Sequence, residues 1–117
     1  MHARSRLGRS GEDAACDLYD RLGFEVVERN YRSGRGEIDV VARRGATLVF
    51  CEVKTRRSEH WGAPAEAVDR VKQARLRRLA AAWMAERRPG SVDVRFDVVS
   101  VIVRGDEMDV THFPDAF

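Results

Sequence analysis

Two acids and a lysine occur close together in one stretch of the chain: Asp39, and the Glu-x-Lys triplet Glu52 to Lys54. Side chains alternate along a β-strand, so Glu52 and Lys54 share one face. In an antiparallel hairpin the numbers of opposed residues have a constant sum, which is 89 or 91 for a two-residue turn at Arg44-Gly45 or Gly45-Ala46. Without a bulge, either odd sum places Asp39 on the face of Glu52 and Lys54.

This combination of side chains suits phosphodiester hydrolysis. Two convergent carboxylates repel each other, and a hard divalent cation with oxygen ligands relieves the repulsion. Mg²⁺ takes one or two protein carboxylates and leaves its other positions to water and phosphate oxygens. A lysine two residues on can stabilise charge that develops on the phosphate. The alternative is a solvent-exposed sheet face on which Glu52 and Lys54 form an ordinary ion pair.

Two further residues fit the same site. Glu12 lies in the first turn of a predicted helix, beside the apolar position Ala15, and can face the sheet. It also fits the alternative role of an acid at the positive end of the helix dipole. Lys72 comes four residues after Val68 and four before Leu76, so it lies along a largely apolar helix face. A lysine there points either into a site or past the core into solvent.

The elements that must position these residues follow from hydrophobic periodicity and from turn residues. A right-handed crossover through the long second helix would place the next strand parallel to the third. We therefore expect an α/β fold, with a mixed β-sheet flanked by helices. The predicted elements are a helix over 9–22 capped by Ser10, strands over 24–31, 37–43 and 47–55, a helix over 64–87, a strand over 92–103 and an edge strand over 108–113.

Length and composition bound the class of protein. The 117 residues, 44% of them hydrophobic, suit a single domain, which we place at 9–117 after a flexible basic tail at 1–8. No apolar run approaches the roughly 18 residues of a membrane span, and the basic start leads into no apolar segment typical of a secretory signal. Cys16 and Cys51 lack metal-ligand spacing and indicate reduced thiols in a cytoplasmic protein.

The basic residues are unevenly divided between the two types. Of the 21 lysines and arginines, only Lys54 and Lys72 are lysines, and both are candidate residues of the same site. The net charge of +2 is too small to identify a nucleic-acid partner by itself.

Taken in order, these residues resemble the YraN family of small bacterial proteins. That family is placed in the PD-(D/E)XK nuclease-like superfamily and is similar to archaeal Holliday junction resolvases. One departure is Ile38, which stands where the superfamily's name has a proline. The matching stretches are Gly11-Glu12, Asn30-Tyr31, 36–39, 50–54 with Arg56, Gly62, Lys72 and 95–97.

The resemblance implies a restriction-endonuclease-like fold with an α-β-β-β-α-β core and a C-terminal hairpin strand. The catalytic set that it implies is Glu12, Asp39, Glu52, Lys54 and Lys72. The three acids would hold Mg²⁺ or Mn²⁺, with the carbonyl of Val53 as a further ligand. Lys54 would orient the attacking water or hold the scissile phosphate, and Lys72 matches a basic helix residue that faces the same site.

The expected function is therefore a metal-dependent DNA endonuclease acting on branched or structured DNA, with a homodimer as the expected assembly. The alternatives are a noncatalytic nucleic-acid-binding or assembly module that keeps the nuclease fold, and a protein-interaction domain. His60-Trp61 could stack on an unpaired base or cover an edge of the core. The arginines expected to contact phosphates, unless they are ordinary surface cations, are Arg32, Arg35, Arg56, Arg57 and Arg75.

Overall fold

The computed structural model describes residues 3–34, 36–57 and 68–117, with side chains from residue 11 onward. Two helices and five strands follow one another in the predicted order, although several boundaries differ. The elements are α1 (Ala3–Arg21), β1 (Glu25–Ser33), β2 (Gly36–Arg44), β3 (Thr47–Arg57), α2 (Arg70–Arg87), β4 (Asp93–Arg104) and β5 (Glu107–Phe113).

The five strands form one mixed sheet in the order β1-β2-β3-β4-β5. Neighbouring strands are antiparallel except β3 and β4, which are parallel. The parallel pair follows from the connection: a short turn reverses the chain, whereas the long segment that contains α2 returns it to the same end of the sheet. The predicted mixed α/β sheet is confirmed, and its arrangement is compatible with the expected nuclease-like core.

Each helix covers one face of the sheet with its own apolar cluster. On the α2 side, Leu79 and Trp83 pack with Phe50 from the central strand. On the α1 side, Tyr19 packs with Cys51, which is fully buried. Neither helix in the described part of the chain has an apolar segment of the length and composition needed to cross a membrane.

The first helix starts earlier than the sequence pattern indicated. It begins at Ala3 rather than near Arg9, so Ser10 lies inside the helix and is not its N-cap. The predicted tail at 1–8 therefore overlaps the first turns of α1. The helical periodicity of apolar residues begins only after Ser10, but arginine is a good helix former and no proline interrupts 3–10.

The second helix starts later than predicted because a capping residue sets its first turn. Asp69 has an extended backbone, and its carboxylate accepts the backbone N–H of Lys72 at 2.9 Å. The helix begins at Arg70 rather than at Pro64, which lies outside the described residues. This cap places Lys72 in the first turn, on the side that faces the sheet.

Gly11 allows α1 to lie directly against the end of β3. A Cβ atom built at Gly11 would overlap the hydroxyl oxygen of Thr55. The residue is buried, so only glycine permits this approach of helix to strand. The contact brings the next residue, Glu12, towards the strand that contains Asp39.

Candidate metal and phosphate site

The hairpin of β2 and β3 has the register that one of the two predicted turns requires. Arg44 pairs with Thr47 and Val40 with Cys51, so the numbers of opposed residues sum to 91 and the turn is Gly45-Ala46. The odd register is therefore confirmed.

Beyond the Val40–Cys51 pair, a side chain instead of a backbone carbonyl accepts the next backbone N–H of β3. Asp39 Oδ2 accepts the backbone N–H of Val53 at 2.7 Å. This bond gives the backbone N–H of Val53 an acceptor where the ladder between β2 and β3 ends, and it fixes the carboxylate of Asp39 against the central strand.

The alternation of side chains between the two faces of the sheet is interrupted in β2 at Asp39. Ile38 packs in the cluster under α2, whereas Val40 packs in the cluster under α1, although residues two apart in a regular strand share a face. On the neighbouring strand, Asn30 has a left-handed backbone with φ of 54°. Asp39 therefore occupies a twisted position that residues from both layers can reach.

Three carboxylates meet at this position. Glu12 from α1 and Glu37 and Asp39 from β2 each offer an oxygen atom, and these atoms lie within 4.8 Å of one another. With the amide of Asn30 oriented so that its nitrogen faces the acids, it donates to both oxygens of Glu12 at 2.8 and 3.0 Å and to Glu37 Oε1 at 2.7 Å. Asn30 thus holds two of the acids beside the third.

Glu52 is close to both lysines of the chain. Lys72 Nζ lies 2.7 Å from Glu52 Oε1, and Lys54 Nζ lies 3.5 Å from the same oxygen. The side chain of Glu52 is only 10% exposed. A carboxylate this deeply buried needs a compensating charge, which the two ammonium groups supply.

Burial and neighbouring charges perturb the pKa values of these groups. Burial, followed by the charge of Glu52, raises the pKa of Asp39 to about 7, against the opposing hydrogen bond from Val53. Burial, followed by the neighbouring ammonium of Lys72, lowers the pKa of Lys54. Burial also acts to lower the pKa of Lys72, but the hydrogen bonds to Glu52 and Lys54 and the charges of the nearby acids together outweigh it, and the pKa is raised.

A pocket of about 280 Å³ joins the acids to the cations. We call it the acidic pocket, and the charged side chains that line it are Glu37, Asp39, Glu52, Lys72 and Arg75. Its volume is several times the roughly 30 Å³ that one water occupies in the liquid. The pocket can therefore hold a small anion such as a phosphate group together with water.

The other predicted phosphate contacts are scattered. Arg32 is 77% exposed and points its Nε to Glu37 Oε2 at 3.6 Å, so it neutralises part of the acid cluster. Arg56 and Arg57 lie at the end of β3, and neither lines the acidic pocket as the described residues define it. Arg35, like His60, Trp61 and Gly62, lies outside the described residues.

Sequence reasoning missed the roles of Glu37 and Asn30. Glu37 lies two residues before Asp39, so the alternation applied to Glu52 and Lys54 would have placed it near the same site. Asn30 carries a weaker signal: asparagine tolerates a left-handed backbone better than most residues, but the contact with Glu12 depends on tertiary packing.

A second polar network lies on the α1 side of the sheet, around Asp97. This fully buried carboxylate accepts hydrogen bonds from Tyr19 at 2.7 Å and from two nitrogens of Arg95 at 2.9 Å. Its Oδ2 also lies 2.8 Å from His112 Nε2, which gives His112 a partner that the sequence did not reveal. The network connects α1, β4 and β5 and stabilises the fold.

Comparison with known proteins identifies the family. The family model of Uncharacterised protein family UPF0102 matches residues 11–101. The chain belongs to this family. UPF0102 thus confirms the resemblance to YraN proteins, and the matched range includes the acids, both lysines and Asn30.

Three relatives match most of this chain and most of their own length. A UPF0102 protein of Syntrophotalea carbinolica is 47% identical over 116 residues, which are 99% of this chain and 94% of that protein. A UPF0102 protein of Beutenbergia cavernae is 54% identical over 102 residues, with 87% and 86% of the two chains covered. One from Geobacter metallireducens is 43% identical over 117 residues, with 100% and 95% covered. These names state a family and no activity.

Proposed function

We propose that this UPF0102 protein is a metal-dependent nuclease that hydrolyses phosphodiester bonds in structured or branched DNA in the cytoplasm. The observation that carries the proposal is the convergence of three carboxylates within 4.8 Å of one another, beside a pocket that Glu52 and Lys72 also line. The half-buried ammonium group of Lys54 lies next to Glu52. The resemblance to PD-(D/E)XK nucleases and Holliday junction resolvases supports the choice of DNA as substrate.

The donor set fits a hard divalent cation. Glu12, Glu37 and Asp39 offer carboxylate oxygens, the ligands that Mg²⁺ and Mn²⁺ prefer. Burial and the charge of Glu52 raise the pKa of Asp39 to about 7. A bound cation would oppose this effect, because its charge favours the ionised carboxylate. Glu52 and the carbonyl of Val53 remain predicted ligands. A bound cation would neutralise charge on the phosphate and lower the pKa of a water molecule.

The two lysines would have different roles. Lys72 makes the shorter contact with Glu52, at 2.7 Å, and anchors that carboxylate in the pocket. Lys54 lies farther from it, at 3.5 Å, and is therefore the less tightly paired ammonium group, which would hold the scissile phosphate or orient the attacking water. Arg75, which lines the same pocket, adds a second cation for the phosphate.

A noncatalytic nucleic-acid-binding module is the second candidate, and one observation favours it. The contact of Lys72 with Glu52 already compensates the buried carboxylate without a metal ion. A site of this kind would keep the nuclease fold and its affinity for phosphates, while the acids and lysines would serve stability alone.

Cleavage assays on a panel of junction, flap, duplex and single-stranded DNAs separate the two. With Mg²⁺ or Mn²⁺ we expect products from wild-type protein and none from Asp39→Asn. Asp109→Asn removes an acid that is 56% exposed and paired with Arg104, so it is the matched control and should cleave normally. DNA binding that persists in Asp39→Asn, with no product from any protein, would establish the noncatalytic module.

The expected homodimer is part of the same proposal, because a branched substrate offers two related strands to two sites. Sedimentation of the free protein and of its DNA complex would determine the stoichiometry. A single copy on the preferred substrate would contradict this part and leave the metal site untouched.

A further inference from the structure

A second hollow, of about 400 Å³, adjoins the acidic pocket. We call it the arginine pocket, and its lining includes Ser33, Arg75 and Arg78. Gly36 and Arg75 line both hollows. The two pockets therefore form one continuous depression between the end of the β1–β2 hairpin and the exposed side of α2.

Gly36 keeps this depression continuous. A Cβ atom built at Gly36 would lie 2.7 Å from Leu79 Cδ1, so the start of β2 rests directly on α2. Gly36 lines both pockets and has no side chain to place between them.

The charge changes sign along the depression. Acids line the acidic pocket, whereas no acid is among the described residues that line the arginine pocket. For neither Arg75 nor Arg78 is there an ion pair with an acid within the ranges that the structure covers. Arg77 differs, since its guanidinium lies 4.9 Å over the ring of Phe96. The exposed guanidiniums of Arg75 and Arg78 are the ones available to an anion.

Three cations form a row along α2, with a spacing of the same order as that of consecutive phosphates. Lys72, Arg75 and Arg78 are three residues apart and neighbour one another on the helix surface. A rise of roughly 1.5 Å per residue separates them by about 4.5 Å along the axis. Phosphates of one strand in a duplex advance by about 3.4 Å along its axis. The row leads from Glu52 in the acidic pocket into the arginine pocket.

We propose that the arginine pocket binds the phosphate adjacent to the one held in the acidic pocket, through Arg78 and with Arg75 between the two. The ligand is then a polynucleotide strand with consecutive phosphates, rather than a mononucleotide or a small phosphate ester. Ser33 offers a hydroxyl as a further donor. This inference rests on the proposed function for the phosphate in the acidic pocket.

Binding of a fluorescein-labelled oligonucleotide in Ca²⁺, measured by anisotropy at several salt concentrations, tests the inference without any need for cleavage. Arg78→Ala should weaken binding about tenfold and reduce the salt slope by about one. Arg77→Ala removes the same charge from the same helix and should change the affinity less than about twofold. If the Arg77→Ala variant has a lower melting temperature than the wild type, Arg88→Gly replaces it as the control. Arg88 has a left-handed backbone at the C-terminus of α2, which glycine adopts readily.

Oligonucleotides with one neutral methylphosphonate, stepped along the strand, locate the contact. At one position the substitution should weaken binding to the wild type but not to Arg78→Ala. Equal losses in Arg78→Ala and the control, or no position with this pattern, would overturn the inference. Absence of cleavage combined with the predicted Arg78 effect would overturn the nuclease proposal alone.

Discussion

Lys72 Nζ contacts Glu52 Oε1 at 2.7 Å, and this contact links the first turn of α2 to the central strand β3. Glu52 is 10% exposed, so the ammonium group compensates a carboxylate that water scarcely reaches. The same carboxylate faces the pocket that contains Asp39. The same ion pair therefore stabilises the fold and lies in the candidate site, so substitutions of either residue should affect stability and activity.

Removing Lys72 should leave the buried carboxylate of Glu52 with only the more distant ammonium group of Lys54, at 3.5 Å. We expect Lys72→Met to lower the free energy of unfolding by about 2 kcal/mol, as for the loss of a hydrogen bond to a charged group. Urea unfolding measures the loss. The double variant Lys72→Met/Glu52→Gln should recover part of it, because the buried carboxylate that needs compensation is then absent. A double variant no more stable than Lys72→Met would contradict this role of the pair.

The close approach of α1 to β3 should not tolerate a methyl group at Gly11. We expect Gly11→Ala to destabilise the fold by about 1–3 kcal/mol, because the new Cβ overlaps the hydroxyl of Thr55. Thermal melting provides the measurement. Thr55→Gly in the same chain should restore part of the stability, because it removes the side chain that the new Cβ overlaps. Failure of the Thr55 variant to rescue would rule out the overlap as the cause.

Asn30 combines a backbone role with a side-chain role, and two substitutions separate them. Asn30→Gly keeps the left-handed backbone at φ 54° but removes the amide that bonds Glu12 and Glu37. Asn30→Ala removes both and should be about 1 kcal/mol less stable than the glycine variant. Both should bind Mn²⁺ more weakly than wild type by calorimetry, since two acids lose their shared donor. Wild-type Mn²⁺ affinity in both variants would show that Asn30 does not organise the acids.

Acid should weaken the fold through Asp97. Burial acts to raise its pKa, but hydrogen bonds from Arg95, Tyr19 and His112 outweigh burial and lower the pKa below its ordinary value of 3.8. The stabilisation is thus fully present above the unfolded-state pKa and is lost as the pH falls through the lower pKa of the folded state. Urea unfolding between pH 5 and pH 2 should show this loss.

Asp97→Asn should remove that part of the pH dependence and cost about 3 kcal/mol at neutral pH, because Arg95 loses its charged partner. Asp109→Asn breaks an exposed pair with Arg104 and should cost less than about 1 kcal/mol. An unchanged pH profile in Asp97→Asn would contradict the assignment.

Local periodicity predicted the order of elements along the chain and the odd register of the hairpin, and the right-handed crossover predicted the mixed sheet. Strand side chains alternate with a period of two, and Gly45 marks a tight turn, so the register had few alternatives. Helix boundaries were less predictable: arginine-rich residues before Ser10 continue α1, and the Asp69 cap delays the start of α2.

Parts of the site depend on contacts between residues far apart in sequence. The change of side-chain face in β2 at Asp39 occurs beside Asn30 of the neighbouring strand, which has a left-handed backbone. Strict alternation does not predict this change. Arg78 resembles any exposed helix arginine until α2 is packed on the hairpin end at Gly36. For the same reason His112 showed no acidic partner in the sequence, although Asp97 lies 2.8 Å away in the folded chain.

The metal site is tested by anomalous diffraction from crystals soaked in Mn²⁺, with Asp39→Asn crystals treated in parallel. We expect a manganese peak within coordination distance of carboxylate oxygens from Glu12, Glu37 and Asp39 in the wild type, and no such peak in the variant. No manganese peak between these carboxylates at a saturating concentration, with the ion pair of Lys72 and Glu52 intact, would contradict the metal-dependent nuclease. The noncatalytic module would then remain.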